Sequence, residues 1–129
     1  MPYFGRLSTQ RLSTCDERLQ DICHEAIKIY DFSVLCGHRD EIEQGKFYRG
    51  GKSKLQYPAS KHNSTPSLAV DIAPWPINWD DLGRFKLLAG IIFGIAHCKC
   101  IKLRWGGDWN MDWNLKNEKF VDLTHFELV

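Results

Sequence analysis

The sequence predicts an α+β fold, a small antiparallel β-sheet packed against two long helices. Three observations carry that prediction. Apolar residues recur at helical spacing in two stretches, 15–30 and 78–97. Four short segments, around Phe32, Ala69, Lys102 and Phe126, read as strands because they are apolar or alternate and are bounded by turn residues. With 129 residues and 43% hydrophobic content, the chain is long enough to bury a core as one domain, 1–129.

The segment Met1–Gln10 is polar and lacks the apolar centre of a secretory signal peptide, so synthesis in the cytoplasm without an export signal is expected. Thr14-Cys15-Asp16-Glu17 reads as a capping box with Thr14 as N-cap. The first helix follows, with Cys15, Leu19, Ile22, Cys23, Ala26, Ile27 and Tyr30 on its apolar face and His24 on its polar side. Phe32–Cys36 is a strand ended by Gly37, and 38–44 is a loop with a short helix. Gly50-Gly51-Lys52-Ser53 lacks the full GxxxxGK[ST] pattern and a following helix, so a phosphate-binding P-loop is excluded.

Leu68–Ala73 is the second strand, ended by Pro74-Trp75-Pro76 because proline cannot donate to a ladder. Asn78 caps the second helix, whose first turn carries Asp80 and Asp81 at the positive end of the dipole. It runs to about His97, a helix-end residue, and packs through Leu82, Phe85, Leu88, Ala89, Ile92 and Phe93. Its longest apolar run, 87–96, has ten residues, too few to span a bilayer. Ile101–Trp105 alternates as a third strand turned by Gly106-Gly107, and 110–119 is a polar loop. Phe126 and Leu128 alternate with Glu127 in the last strand.

Composition narrows the function. A net charge of +1 supplies no basic field for nucleic acid. Without a basic cluster, Trp105, Trp109 and Trp113 read as walls of a peptide-binding groove and partial core. The five cysteines, 15, 23, 36, 98 and 100, show no disulfide-framework spacing, and Cys98-Lys99-Cys100 is too tight for a zinc knuckle. They read as reduced thiols, mostly packed as small hydrophobes.

The chemistry concentrates in Ser60–Asp71 and Asp122–Leu128. Two imidazoles and a carboxylate are a common ligand set for catalytic zinc, which keeps a fourth position open for water. His62 from a loop, Asp71 from the strand after it and His125 from the last strand supply that set. Asp71 lies within the apolar run Leu68–Ala73, where a buried carboxylate needs a partner, and a cation is one. Asp122, three residues before His125, is the candidate general base. Alone, a His followed nine residues later by an Asp is a weak signal; the second segment gives it weight.

Ser60-x-His62, Ser67-x-Ala69-Val70-Asp71 and Asp122-x-x-His125-Phe126-Glu127-Leu128 resemble the zinc peptidases that cleave peptidoglycan stem peptides, D-alanyl-D-alanine carboxypeptidases and phage-endolysin L-alanyl-D-glutamate endopeptidases. Gly37-His38-Arg39-Asp40, Glu43-Gln44, Gly51–Lys54 and Arg104-Trp105-Gly106-Gly107-Asp108-Trp109 extend the resemblance from about Leu7 to Val129. The Trp-Gly-Gly-Asp-Trp segment and the long His62-to-Asp71 interval fit the endolysin branch. The resemblance implies a hedgehog-like zinc fold, a Zn2+ cofactor and lysis of the bacterial cell wall. It also implies that Arg39, Gln44 and Ser60 hold the substrate, since in relatives an Arg and a Gln of this region bind carboxylate or carbonyl groups of the stem peptide. The partner so implied is the peptidoglycan stem peptide, met by a monomer in the wall or periplasm after another agent permeabilises the membrane. No nucleic acid, membrane insertion or separate wall-binding domain is expected. The alternatives are a D-alanyl-D-alanine carboxypeptidase and a non-catalytic zinc-containing binding module, because fold does not dictate function.

Overall fold

A computed structural model describes residues 2–129; Met1 lies outside the described residues. Four strands, β1 (Phe32–Cys36), β2 (Ala69–Pro74), β3 (Leu103–Trp105) and β4 (His125–Leu128), form an antiparallel sheet in the order β1-β2-β4-β3. The helices are α1 (Arg6–Leu12), α2 (Glu17–Ala26), α3 (Glu41–Arg49) and α4 (Leu82–Cys98), and a single 3-10 turn covers Lys61–Asn63. The α+β class and all four strand positions agree with the sequence reading.

Alternation along each strand sorts the side chains into two faces. Phe32, Val34, Val70, Ile72, Leu103, Trp105, Phe126 and Leu128 form one apolar cluster with residues of α2 and α4, among them Leu19, Ile22, Leu88 and Ile92. Each such fully buried side chain contributes about 1.5–3 kcal/mol relative to exposure. The other face is polar. Asp71 pairs with Cys36 on one side and with His125 on the other, and Glu127 pairs with Arg104. The helices therefore cover one face of the sheet while the polar row faces a cleft.

The helices differ from expectation at their starts and in length. Only α4, with 17 residues, is long; α2 has ten. The cap of α2 is Asp16, whose carboxylate accepts from Arg18 N at 2.9 Å, and not Thr14. The Thr14 hydroxyl is engaged elsewhere, donating to Arg11 O at 2.7 Å and accepting from His38 N at 2.8 Å. Asn78 makes a local turn, accepting from Asp80 N at 3.0 Å, and α4 begins four residues later at Leu82. Helix α1 has no counterpart in the sequence reading, because seven residues with one buried position, Leu12, show no helical stripe. It buttresses the edge strand: Ser8 Oγ accepts from Val34 N and Arg11 Nη1 donates to Val34 O. Among the described residues no helix is long and apolar enough to cross a membrane.

Candidate metal centre and active-site cleft

Each group at the site arrives by its own local route. Asp71 is presented by β2 and His125 by the start of β4. His62 sits in the 3-10 turn, whose entry is fixed by a reciprocal cap: Ser60 Oγ accepts from His62 N at 3.2 Å and Asn63 Oδ1 accepts from Ser60 N at 3.0 Å. Arg39 N donates to His62 O at 2.8 Å and ties the turn to the segment before α3. The imidazole is thereby held inward, 1% exposed.

Three donor atoms converge. His62 Nε2 lies 3.1 Å from Asp71 Oδ1 and 3.2 Å from His125 Nδ1, and His125 Nδ1 lies 3.2 Å from Asp71 Oδ1. A tetrahedral zinc ion with bonds of about 2.0–2.1 Å sets its ligand atoms about 3.3–3.4 Å apart, so this near-equilateral triangle fits one face of such a tetrahedron. The outer ring nitrogens decide which nitrogen is free. His62 Nδ1 donates to Gly37 O at 2.7 Å, and His125 Nε2 donates to Glu127 Oε1 at 2.8 Å. Both bonds leave the lone pair on the nitrogen that points into the triangle, an arrangement characteristic of metal-ligating histidines. In the metal-free protein the same triangle attracts protons. Burial lowers the pKa of His62, but the charge and hydrogen bond of Asp71 outweigh it and push the imidazole up to about 10. Burial lowers His125 too, but its hydrogen bonds to Asp71 and Glu127 outweigh that and raise it, and against its own burial Asp71 is held by the two imidazoles far below the usual carboxylate range.

Asp122 brings a second carboxylate beside this triangle. One donor atom each from Asp71, Asp122 and His125 lie within 4.8 Å of one another. Asp122 Oδ1 accepts from Thr124 Oγ1 at 2.9 Å, which fixes the carboxylate at the wall of the cleft. Its backbone is clamped by Gly106, with Asp122 N donating to Gly106 O and Gly106 N donating to His125 O, both at 2.8 Å.

The residues expected to hold substrate are placed differently from one another. Ser60 lines the cleft, its hydroxyl engaged as the turn cap. Arg39 reaches the cleft wall but is 4% exposed; its Nη1 donates to Gln44 Oε1 at 2.9 Å and its Nη2 to Asp71 Oδ2 at 3.3 Å. Gln44 is fully buried behind it and does not line the cleft, its amide nitrogen donating to Ser53 Oγ and Leu55 O. The tryptophans also divide. Trp109 packs on His125 at 5.2 Å between ring centroids and forms a wall, Trp105 stacks on Phe126 in the core, and Trp113 is 74% exposed. Trp79, on the turn before α4, supplies another wall. The cleft holds about 980 Å³, at the upper end for a ligand site, with room for more than a dipeptide.

Two supporting groups escaped the sequence reading. Glu127 follows His125 by two residues on the same strand, so it shares its face, and that periodicity could have exposed the pair. The Gly37 carbonyl leaves no side-chain signal at all.

The family model for the phage L-alanyl-D-glutamate peptidase matches residues 2–129. The chain is 31% identical over 134 residues to the L-alanyl-D-glutamate peptidase of Escherichia phage T5, covering 98% of this chain and 97% of that protein. Among solved structures, the L-Ala D-Glu endopeptidase ChiX of Serratia marcescens superposes with a TM-score of 0.77 at 25% identity, over 99% of this chain and 91% of that one. The fold, the convergent polar face and the near full-length match agree: the chain belongs to the phage L-alanyl-D-glutamate peptidase family.

Proposed function

We propose that this chain is a zinc endopeptidase that hydrolyses the L-alanyl–D-glutamate bond in the stem peptide of bacterial peptidoglycan, with His62, Asp71 and His125 holding the metal. The observation that carries the reading is the triangle of donor atoms 3.1–3.2 Å apart, with both imidazoles fixed by outer partners and Asp122 alongside. When bound, zinc supplies Lewis acidity, activating water and polarising the scissile carbonyl.

The chain's own groups do the rest. Asp122 takes the proton from the attacking water and delivers it to the leaving amine, a contribution typically worth 10²–10⁴-fold. Thr124 holds one oxygen of Asp122 and leaves the other to move the proton. Arg39 anchors Asp71 Oδ2, so Oδ1 stays turned to the two imidazoles with which it would hold the metal, and Gln44 anchors Arg39 in turn. Ser60, Trp79 and Trp109 border the path of the substrate and align its carbonyl. The protein acts on the wall as a monomer.

The test is digestion of purified peptidoglycan by zinc-loaded protein, with and without a chelator, followed by mass spectrometry. Chelator-sensitive release of stem peptides that begin at D-glutamate is the expected result. Loss of single D-alanine residues would reassign the protein to the carboxypeptidases. Intact peptidoglycan with zinc still bound would make it a binding module.

A further inference from the structure

Cys36 stands apart from the other cysteines. Cys15 and Cys23 are buried in the apolar cluster, where burial pushes the Cys15 thiol up to about 12. Cys98 and Cys100 are exposed at the end of α4. Cys36 lies at the end of β1, half-buried, and lines the cleft.

Its orientation comes from an irregularity in the sheet. Phe32, Ser33 and Val34 pair in regular steps with Pro74, Ala73 and Ile72, so regular pairing would set Leu35 opposite Asp71. The register shifts between Val34 and Cys36, and Cys36 takes that place. Bulges of this kind re-aim a side chain next to a site. Directly paired residues share a face, so Cys36, Asp71 and His125 form one row across three strands. One donor atom each of Cys36, His62 and Asp71 lie within 4.8 Å of one another. Arg39 Nη2 donates to the sulfur at 3.8 Å.

We propose that Cys36 is a fourth protein ligand of the metal, closing the site in a resting state. The inference rests on the metal reading above. The thiol loses its proton to solvent as the sulfur–metal bond forms, filling the position that water needs for catalysis. The donors are then two imidazoles, a carboxylate and a thiolate, a four-coordinate set of the structural kind with no open position. A sulfur at about 2.3 Å from zinc would stand about 3.6 Å from a nitrogen ligand, and the Cys36 sulfur already lies within 4.8 Å of a donor atom of His62 and of Asp71. Substrate entering the cleft would displace the sulfur, which takes a proton back from solvent as the thiol while a water fills the position it leaves.

The experiment uses Co2+-loaded full-length protein carrying Cys98→Ser and Cys100→Ser, so that no exposed thiol contributes. A near-ultraviolet thiolate-to-cobalt charge-transfer band is expected, lost when Cys36→Ser is added, with zinc affinity falling at least tenfold. Visible ligand-field bands without the charge-transfer band, or a band that survives Cys36→Ser, would overturn the role of Cys36 and leave the metal reading standing. Absence of any cobalt spectrum would remove the metal reading and this inference together. If Cys36→Ser does not fold, carboxamidomethylation of Cys36 in the folded parent gives the same comparison.

Discussion

Two hydrogen bonds on the far side of the imidazoles govern what His62 and His125 can do. The Glu127 carboxylate, held below its usual pKa by the hydrogen bond and charge of His125 against the opposing effect of burial, fixes one tautomer. Glu127→Ala is expected to weaken zinc binding about 10–100-fold with the fold intact, read by competition with a chromophoric chelator. Asp122→Ala should instead keep zinc and lose about 10²–10⁴-fold in turnover. Retained hydrolysis by that variant would rule out Asp122 as the base. A third expectation concerns protons. Because Asp71 raises His62 to about 10 in the metal-free protein, the charged imidazole stabilises the fold fully below about 6.5, its ordinary value. That contribution is lost as pH rises through about 10. Zinc loaded at about pH 8 must therefore expel a proton from His62. Titration calorimetry in buffers of differing ionisation enthalpy should read at least one proton released per ion, and an enthalpy independent of buffer would show His62 already neutral.

At the scale of elements, the close approach of the Gly106 turn to the 122–125 segment sets the position of Asp122, the proposed base. A Cβ at Gly106 would collide with the Asp122 carbonyl, and backbone cannot move aside as a flexible side chain does. Gly106→Ala should shift Asp122 and cost on the order of 10²-fold in kcat, with zinc content little changed. Steady-state kinetics beside metal analysis checks this. The strands were legible in the sequence because Phe32–Cys36 and Phe126–Leu128 carry their pattern within a few residues. The start of α2 was not, since Thr14 has the right chemistry for a cap but serves α1 and the His38 backbone. Among site groups, His62, Asp71, Asp122 and His125 could be read from residue type and motif. The register shift at Cys36 and the burial of Gln44 depend on pairing between distant segments, which spacing along the chain does not encode.

For the whole molecule, the polar row is a cost that a bound metal would offset. Four titratable groups, Asp71, His62, His125 and Glu127, are each less than 10% exposed on one face of the sheet. Anything that binds the folded state alone stabilises it, by about 4 kcal/mol at a thousandfold excess over Kd. Chelation should lower Tm by roughly 10–20 °C for a domain of this size. Scanning calorimetry with and without zinc measures it, and equal Tm values would mean the ion contributes nothing to folding.

Strand β4 lies between β2 and β3, although it follows both in the chain. Without β4 the sheet is reduced to the β1-β2 pair, β3 has no partner strand, and His125 is missing from the cleft. Closing the sheet and completing the site are thus the same event. A chain that has not placed β4 lacks one corner of the donor triangle, so the last few residues of the sequence are as necessary to the site as the segment that carries His62 and Asp71.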